Sequence, residues 1–223
     1  MYYEQINRAV ATRLGGLHSA RLVIESLDFE SDYAAYHRSG DWAAADRVIA
    51  GAAERLKAAG AEGLLLASNT MHKNAEAAQH ASGLPLIDIR QVTAERLQAD
   101  GRTRIALLGT RFTMVEPWAR EPYEKRGLSI CELLPEWRRE VDRIIYEELA
   151  GGRVVRDSQR KLKTLITELQ KQKVQAVVLG CTELVLAVDV RANVLPVYDT
   201  TAIHARAAAE WMLGEPEQAR AAA

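Results

Sequence analysis

The sequence predicts an α/β protein of two pseudo-symmetric halves, each a parallel sheet flanked by helices, with a cleft between them. Three observations predict it. Amphipathic helical stretches alternate with short apolar runs, and those runs end in small polar residues. The order helix, apolar run, polar turn, Leu-Pro strand occurs twice. Strands alternating with helices at these lengths call for parallel sheets covered by helices, with ligands beyond the carboxyl ends of the strands.

The elements follow in order. "YYEQINRAVATRL", closed by Gly15-Gly16, is predicted as a helix, and "SARLVIESLDF" (19–29) as a strand. In "GDWAAADRVIAGAAERLKAAG", Ile49, Ala52, Ala53 and Leu56 share one helical face, Ser39 and Asp41 are candidate caps, and Gly60 stops the run. "GLLLASNTMH" then reads as a strand with a polar turn, and "LPLIDI" (84–89) as a second strand. The later half opens with a strand from Arg104 to Leu108 ending in Gly109-Thr110, followed by a Pro-interrupted helical stretch and the strand "LSICELLP". "DSQRKLKTLITELQKQK" repeats the helix through Leu162, Leu165, Ile166 and Leu169; "AVVLGCTELV" and "LPVYDT" (195–200) repeat the two strands. The predicted division is residues 1–95 plus 205–223 for the first half and 96–204 for the second. The first half holds no counterpart of the Arg104–Leu108 strand, so a strand and turn ahead of residue 1 are expected to complete it.

Charge and cysteine content narrow the partners. Lys plus Arg is 29 against Asp plus Glu 30, and no basic stripe is interleaved with aromatics, so neither nucleic acid nor a membrane surface is the expected partner. No run approaches ~18 apolar residues and the first residues do not read as a signal peptide, which makes the cytoplasm the expected location. Cys131 and Cys181 match no zinc spacing, and no metal is expected.

Both polar turns lie where strands end, so residues 67–72 and 181–184 are expected to converge on the cleft. Laying residues 64–69 upon residues 178–183 sets Ala67 on Cys181. Taken alone, a cysteine closing an apolar strand is most often a small buried hydrophobe, and Cys131 reads as core. His72 is as well explained as a surface or helix-capping residue, and His204 by capping or packing. Thr110 could touch ligand or simply make a turn.

Together, "LGGLHSARLVIESLDF", "AAGAEGLLLASNTMHK", "RIALLGTRFTM", "VVLGCTEL" and "LPVYDTTAIHA" resemble the aspartate/glutamate racemase family, in particular its broad-specificity amino-acid racemases, from about residue 2 to about residue 213. The resemblance implies a cofactor-independent enzyme, commonly a homodimer, acting on a small amino acid. In it each half presents a cysteine: one thiolate removes the α-proton and the other thiol protonates the opposite face. Cys181 is then the proton-transfer residue, and Ala67 marks the position of the missing partner. Ser68, Asn69, Thr70, Thr110, Thr182 and Glu183 are the implied substrate-binding residues, with His72 and His204 behind them. A helix N-terminus aimed at Cys181 would lower its pKa and make it the more reactive thiol. Alternatives are a single-cysteine decarboxylase or isomerase of the same superfamily, or an inactive amino-acid-binding protein.

Overall fold

The computed structural model describes residues 1–34, 36 and 39–214. Its helices are α1 (Tyr2–Leu14), α2 (Trp42–Ala58), α3 (Ala75–Ser82), α4 (Ile89–Ala99), α5 (Arg111–Val115), α6 (Pro117–Glu124), α7 (Pro135–Glu147), α8 (Arg156–Lys171) and α9 (Thr200–Met212). Its strands are β1 (Leu64–Leu65), β2 (Leu86–Ile87), β3 (Arg104–Gly109), β4 (Ser129–Ile130), β5 (Ala176–Gly180) and β6 (Val197–Asp199). Two parallel sheets result, as the alternation predicts. One pairs β1 with β2, and the other runs β4-β3-β5-β6.

Local chemistry sets the helix ends. Asp41 accepts from the Ala44 amide and starts α2, whose apolar stripe of Ile49 and Ala53 packs onto Leu64 and Ala78. A side-chain oxygen at this position satisfies one of the amides that a helix start leaves unpaired. Asp88 and Asp199 do the same for α4 and α9, each accepting two amides directly after a Leu-Pro strand. The Pro-interrupted stretch divides where expected: α5 ends at Val115, and Pro117 opens α6 at a position that needs no amide donor.

Each sheet lies between two apolar layers. On the larger sheet, Ala106, Leu108, Val177 and Leu179 face α7 and α8, while Ile105, Leu107 and Val178 face α4 and α6. The smaller sheet turns Leu64 to α2 and α3, and Leu65 and Ile87 to α1 and α9. The helices after β2 and β6 therefore change sides. Ala94 and Leu97 of α4 pack on the larger sheet, and Ala205, Ala208 and Ala209 of α9 pack against Ile6 and Val10 of α1. A boundary at 95/96 falls inside α4.

One predicted strand does not form. Residues 19–28 belong to no strand, and Val23 and Ile24 are exposed. Strand structure needs a ladder partner for its amides and carbonyls. Among the described residues β1 pairs with β2 alone, and no strand pairs with residues 19–28.

Candidate active site

Strand β5 is buried along its whole length and delivers Cys181 to the end of the larger sheet. Two glycines make this end tight. A Cβ on Gly180 would lie 2.9 Å from Thr113 Cγ2 and 3.1 Å from the Leu108 carbonyl, and one on Gly109 would lie 2.8 Å from the Gly180 carbonyl. Backbone cannot yield as a flexible side chain can. Gly180→Ala is expected to lower stability by about 1–3 kcal/mol, and Thr113→Ser, which removes the obstructing methyl, to restore part of the loss. Denaturant midpoints of the two single variants and the double variant check this; simple additivity would refute the clash.

Cys181 is 9% exposed and its thiol donates to Glu183 Oε2 at 3.0 Å. Burial raises its pKa well above the ordinary thiol value, and the neighbouring Glu183 carboxylate adds to the effect by its charge and hydrogen bond. The amides of Glu183 and Leu184 oppose the rise and do not overcome it. The expected thiolate at a helix N-terminus is therefore corrected: the resting sulfur is a protonated thiol held on a carboxylate. Only a three-residue helical turn, Leu184–Leu186, follows it. Thr182 Oγ1 donates to the same Glu183 oxygen at 2.6 Å, so that oxygen accepts twice. Cys131 is also buried, beside Gln172 and Arg104.

Cross-linking side chains bring the two halves together at this point. Asn69 Nδ2 donates to Thr200 Oγ1 at 3.0 Å, and Thr200 donates on to the Leu179 carbonyl at 2.7 Å, two residues before the thiol. Thr70 and Thr110 share a hydrogen bond at 3.0 Å, and Thr113 lies within 3.5 Å of both hydroxyls. Thr110 and Thr70 are thus buried and engaged with each other, and Asn69 is buried on Thr200. Across the same seam, Lys73 pairs with Glu116 at 2.5 Å and stands over the Trp42 ring, while Trp118 donates to Glu116. Burial raises the pKa of Tyr146, and the carboxylates of Asp142 and Glu183 add to the rise. Thr113, Thr200 and Tyr146 were not singled out from the sequence. Thr110 had a readable signal as a helix-start cap, accepting from the Thr113 amide, whereas nothing in the sequence marks the Thr113 side chain.

The strand registers correct the position of the partner residue. Asp88 and Asp199 are counterparts, each capping the helix after a Leu-Pro strand. Ile87, one residue earlier, pairs with Leu65, and its counterpart Tyr198 pairs with Val178. Counting three residues on from Leu65 and from Val178 sets Ser68 against Cys181. Ala67 is instead the counterpart of Gly180. The one-residue displacement also agrees with the layers, because Leu65 and Val178 both face the helices that changed sides. Ser68 Oγ accepts from the Met71 amide at 3.5 Å and is partly exposed.

Neither histidine stands free. His72 is 2% exposed, donating from Nδ1 to the Ser68 carbonyl at 2.7 Å and accepting at Nε2 from the Ile89 amide. His204 accepts at Nδ1 from the Tyr2 hydroxyl and donates from Nε2 to the Ile87 carbonyl. The rings are 5.7 Å apart, and burial lowers their pKa values to about 4 and about 3 respectively. Both are buried neutral struts, and His72 also satisfies the first amide of α4. Among the described residues, no group of three or more His, Cys, Asp or Glu side chains is placed to hold a metal.

The larger sheet ends in a thiol on a carboxylate, and the register-matched position after β1 of the smaller sheet carries a hydroxyl. A model of the Asp/Glu/Hydantoin racemase family matches residues 1–208, and the chain belongs to that family. It is similar to a Yersinia pestis protein assigned as an Asp/Glu racemase (42% identity, TM-score 0.87, covering 95% of this chain and 92% of that one). It is also similar to an aspartate racemase homologue from Pyrococcus horikoshii OT3 (28% identity, TM-score 0.79, covering 95% and 92%). The Picrophilus torridus aspartate racemase shares the fold (15% identity, TM-score 0.71, covering 99% and 91%).

Proposed function

We propose that the protein is a cofactor-independent amino-acid racemase that moves the α-proton of a small amino acid, with Cys181 serving one face and Ser68 the other. The contact that carries this reading is the Cys181 thiol on Glu183, at the position whose counterpart in the other half is Ser68. On substrate binding, Glu183 takes the thiol proton and the thiolate removes the α-proton, leaving a carbanion whose charge spreads into the carboxylate as an enediolate. The Ser68 hydroxyl then supplies a proton to the opposite face; solvent returns a proton to Ser68 and takes from Glu183 the one it had accepted, which resets the site. Aspartate and glutamate are the first substrates to test, followed by homoserine.

A hydroxyl is a far weaker acid than a thiol, so proton delivery from Ser68 is the slow step. Ser68→Cys is therefore expected to raise racemisation by ~10²-fold or more. Ala67→Cys, the substitution that a simple sequence overlay would suggest, is expected to leave it unchanged. Chiral chromatography of product, with mass spectrometry of α-deuterium in D2O, reads both. Gain at 67 and none at 68 would overturn the register argument; gain at neither, in folded variants, would overturn the racemase reading. A single-thiol decarboxylase or isomerase is the second reading, supported by the presence of sulfur at only one of the two paired positions. It predicts turnover that Ser68→Ala does not alter.

A further inference from the structure

The larger sheet ends beside a basic groove that the proposed reaction does not use. It runs between α5 and α7 and holds about 470 Å3, a volume within the range of small-molecule sites. Arg111 of α5 lines one wall, and Arg138, Arg139 and Arg143 line the other, where helical spacing puts them on one face of α7. Arg143 is committed elsewhere: Glu140 lies at 3.0 Å, Glu148 at 2.8 Å and Glu147 at 3.5 Å. Arg138 and Arg139 make no ion pair or side-chain hydrogen bond among the described residues, and the Arg111 guanidinium lies over the Phe112 ring at 4.5 Å. The remaining carboxylate of the groove is Asp142, which accepts from the Arg111 amide at 2.7 Å. Three guanidinium groups against one carboxylate leave two positive charges uncompensated.

Two features tie the groove to the thiol. Arg111 stands two residues past Gly109 and Cys181 one residue past Gly180, and those glycines are partners on adjacent parallel strands. Tyr146, on the α7 wall, feels the charge of Glu183, the carboxylate that holds the thiol. From this placement we infer that the groove is a collecting site for small carboxylate anions, held by Arg111, Arg138 and Arg139 and passed to the Cys181 end of the sheet. A guanidinium takes a carboxylate through paired N–H donors. A recess of one sign also concentrates the opposite ion and raises its arrival rate by ~10-fold or more. The inference goes beyond the racemase reading, because it concerns the approach to the thiol and not the reaction there.

The probes are iodoacetate and iodoacetamide, which are alike in size and chemistry except that the first is an anion. Both are applied to the full chain at one alkaline pH, and peptide mass spectrometry reads alkylation of Cys181. The ratio of the two rates is divided by the same ratio for free cysteine. At low ionic strength, Arg138→Gln with Arg139→Gln is expected to lower this normalised ratio ~3–10-fold and to leave the iodoacetamide rate unchanged. Chloride at about 0.5 M is expected to bring the parent down to the variant by screening. Succinate is expected to act more strongly than chloride at equal ionic strength, because it occupies the arginines. Lys163→Gln with Lys171→Gln removes the same charge from the exposed face of α8 and is expected to change nothing. An unchanged ratio in the arginine variant, an equal fall in the α8 variant or an equal change for both reagents would each overturn the inference. So would succinate no stronger than chloride in the parent, a comparison that holds whatever the substitutions do to folding.

Discussion

Cys181→Ala is expected to abolish both racemisation and α-hydrogen exchange, with a loss of at least ~10²–10⁴-fold, the usual contribution of a positioned acid or base. The substitution leaves a small space at a strand end and touches no structural hydrogen bond except the one to Glu183. Folding should survive it, so a near-native melting curve accompanies the lost activity. Glu183→Gln tests the protonation state directly. With the carboxylate gone, the thiol loses its acceptor charge, and burial alone holds its pKa up. The pH at which half-maximal exchange is reached should therefore move, because proton removal no longer passes through a carboxylate 3.0 Å away. An exchange rate and pH profile equal to the parent's would show that Glu183 only caps the turn. Iodoacetamide gives a simpler check: a buried thiol with a raised pKa reacts slowly near neutral pH, and the Cys181 rate should climb steeply on the alkaline side.

Mild acid is expected to destabilise the protein well before its carboxylates titrate. His72 and His204 hold folded-state pKa values of about 4 and about 3, below the unfolded value near 6.5. As pH falls through 6.5, the unfolded chain takes up protons that the folded chain refuses, so stability is complete above about 6.5 and declines towards the folded values. Between pH 6.5 and 5 the loss is about 2 kcal/mol per histidine. Carboxylates act in a lower window. Glu140, lowered to about 2 mainly by its hydrogen bond from Arg143, keeps its contribution until pH falls below about 4.5. Urea unfolding at pH 7, 6 and 5 isolates the histidines, and a free energy that stays flat over that range would contradict their assignment as neutral struts. His204→Gln is expected to be less stable than the parent at pH 7 and to show about half its pH slope.

The sequence by itself determined the α/β architecture, the doubled order of elements and the family. Helical periodicity in 42–58 and 156–171, aspartates ahead of α4 and α9, and Leu-Pro openings of β2 and β6 are local signals, and local chemistry reads without knowledge of the fold. What it left open depends on partners distant in the chain. The residue matching Cys181 by position is not legible in the sequence, because Leu64-Leu65-Leu66 and Val177-Val178-Leu179 are apolar throughout; pairing with β2 and β6 sets Ser68 there and shows which side chain faces which layer. Protonation of Cys181 was misjudged because it is set by burial and by the approach of Glu183, not by the strand that delivers it. His72 and His204 looked like surface or capping residues until packing of α9 against α1, α4 and β2 enclosed them. The segment 19–29 has a strand's composition and lacks a strand's partner. Propensity resides in the residues themselves, whereas a ladder, a buried charge or a proton shared across a cleft exists only between elements that tertiary structure has brought together.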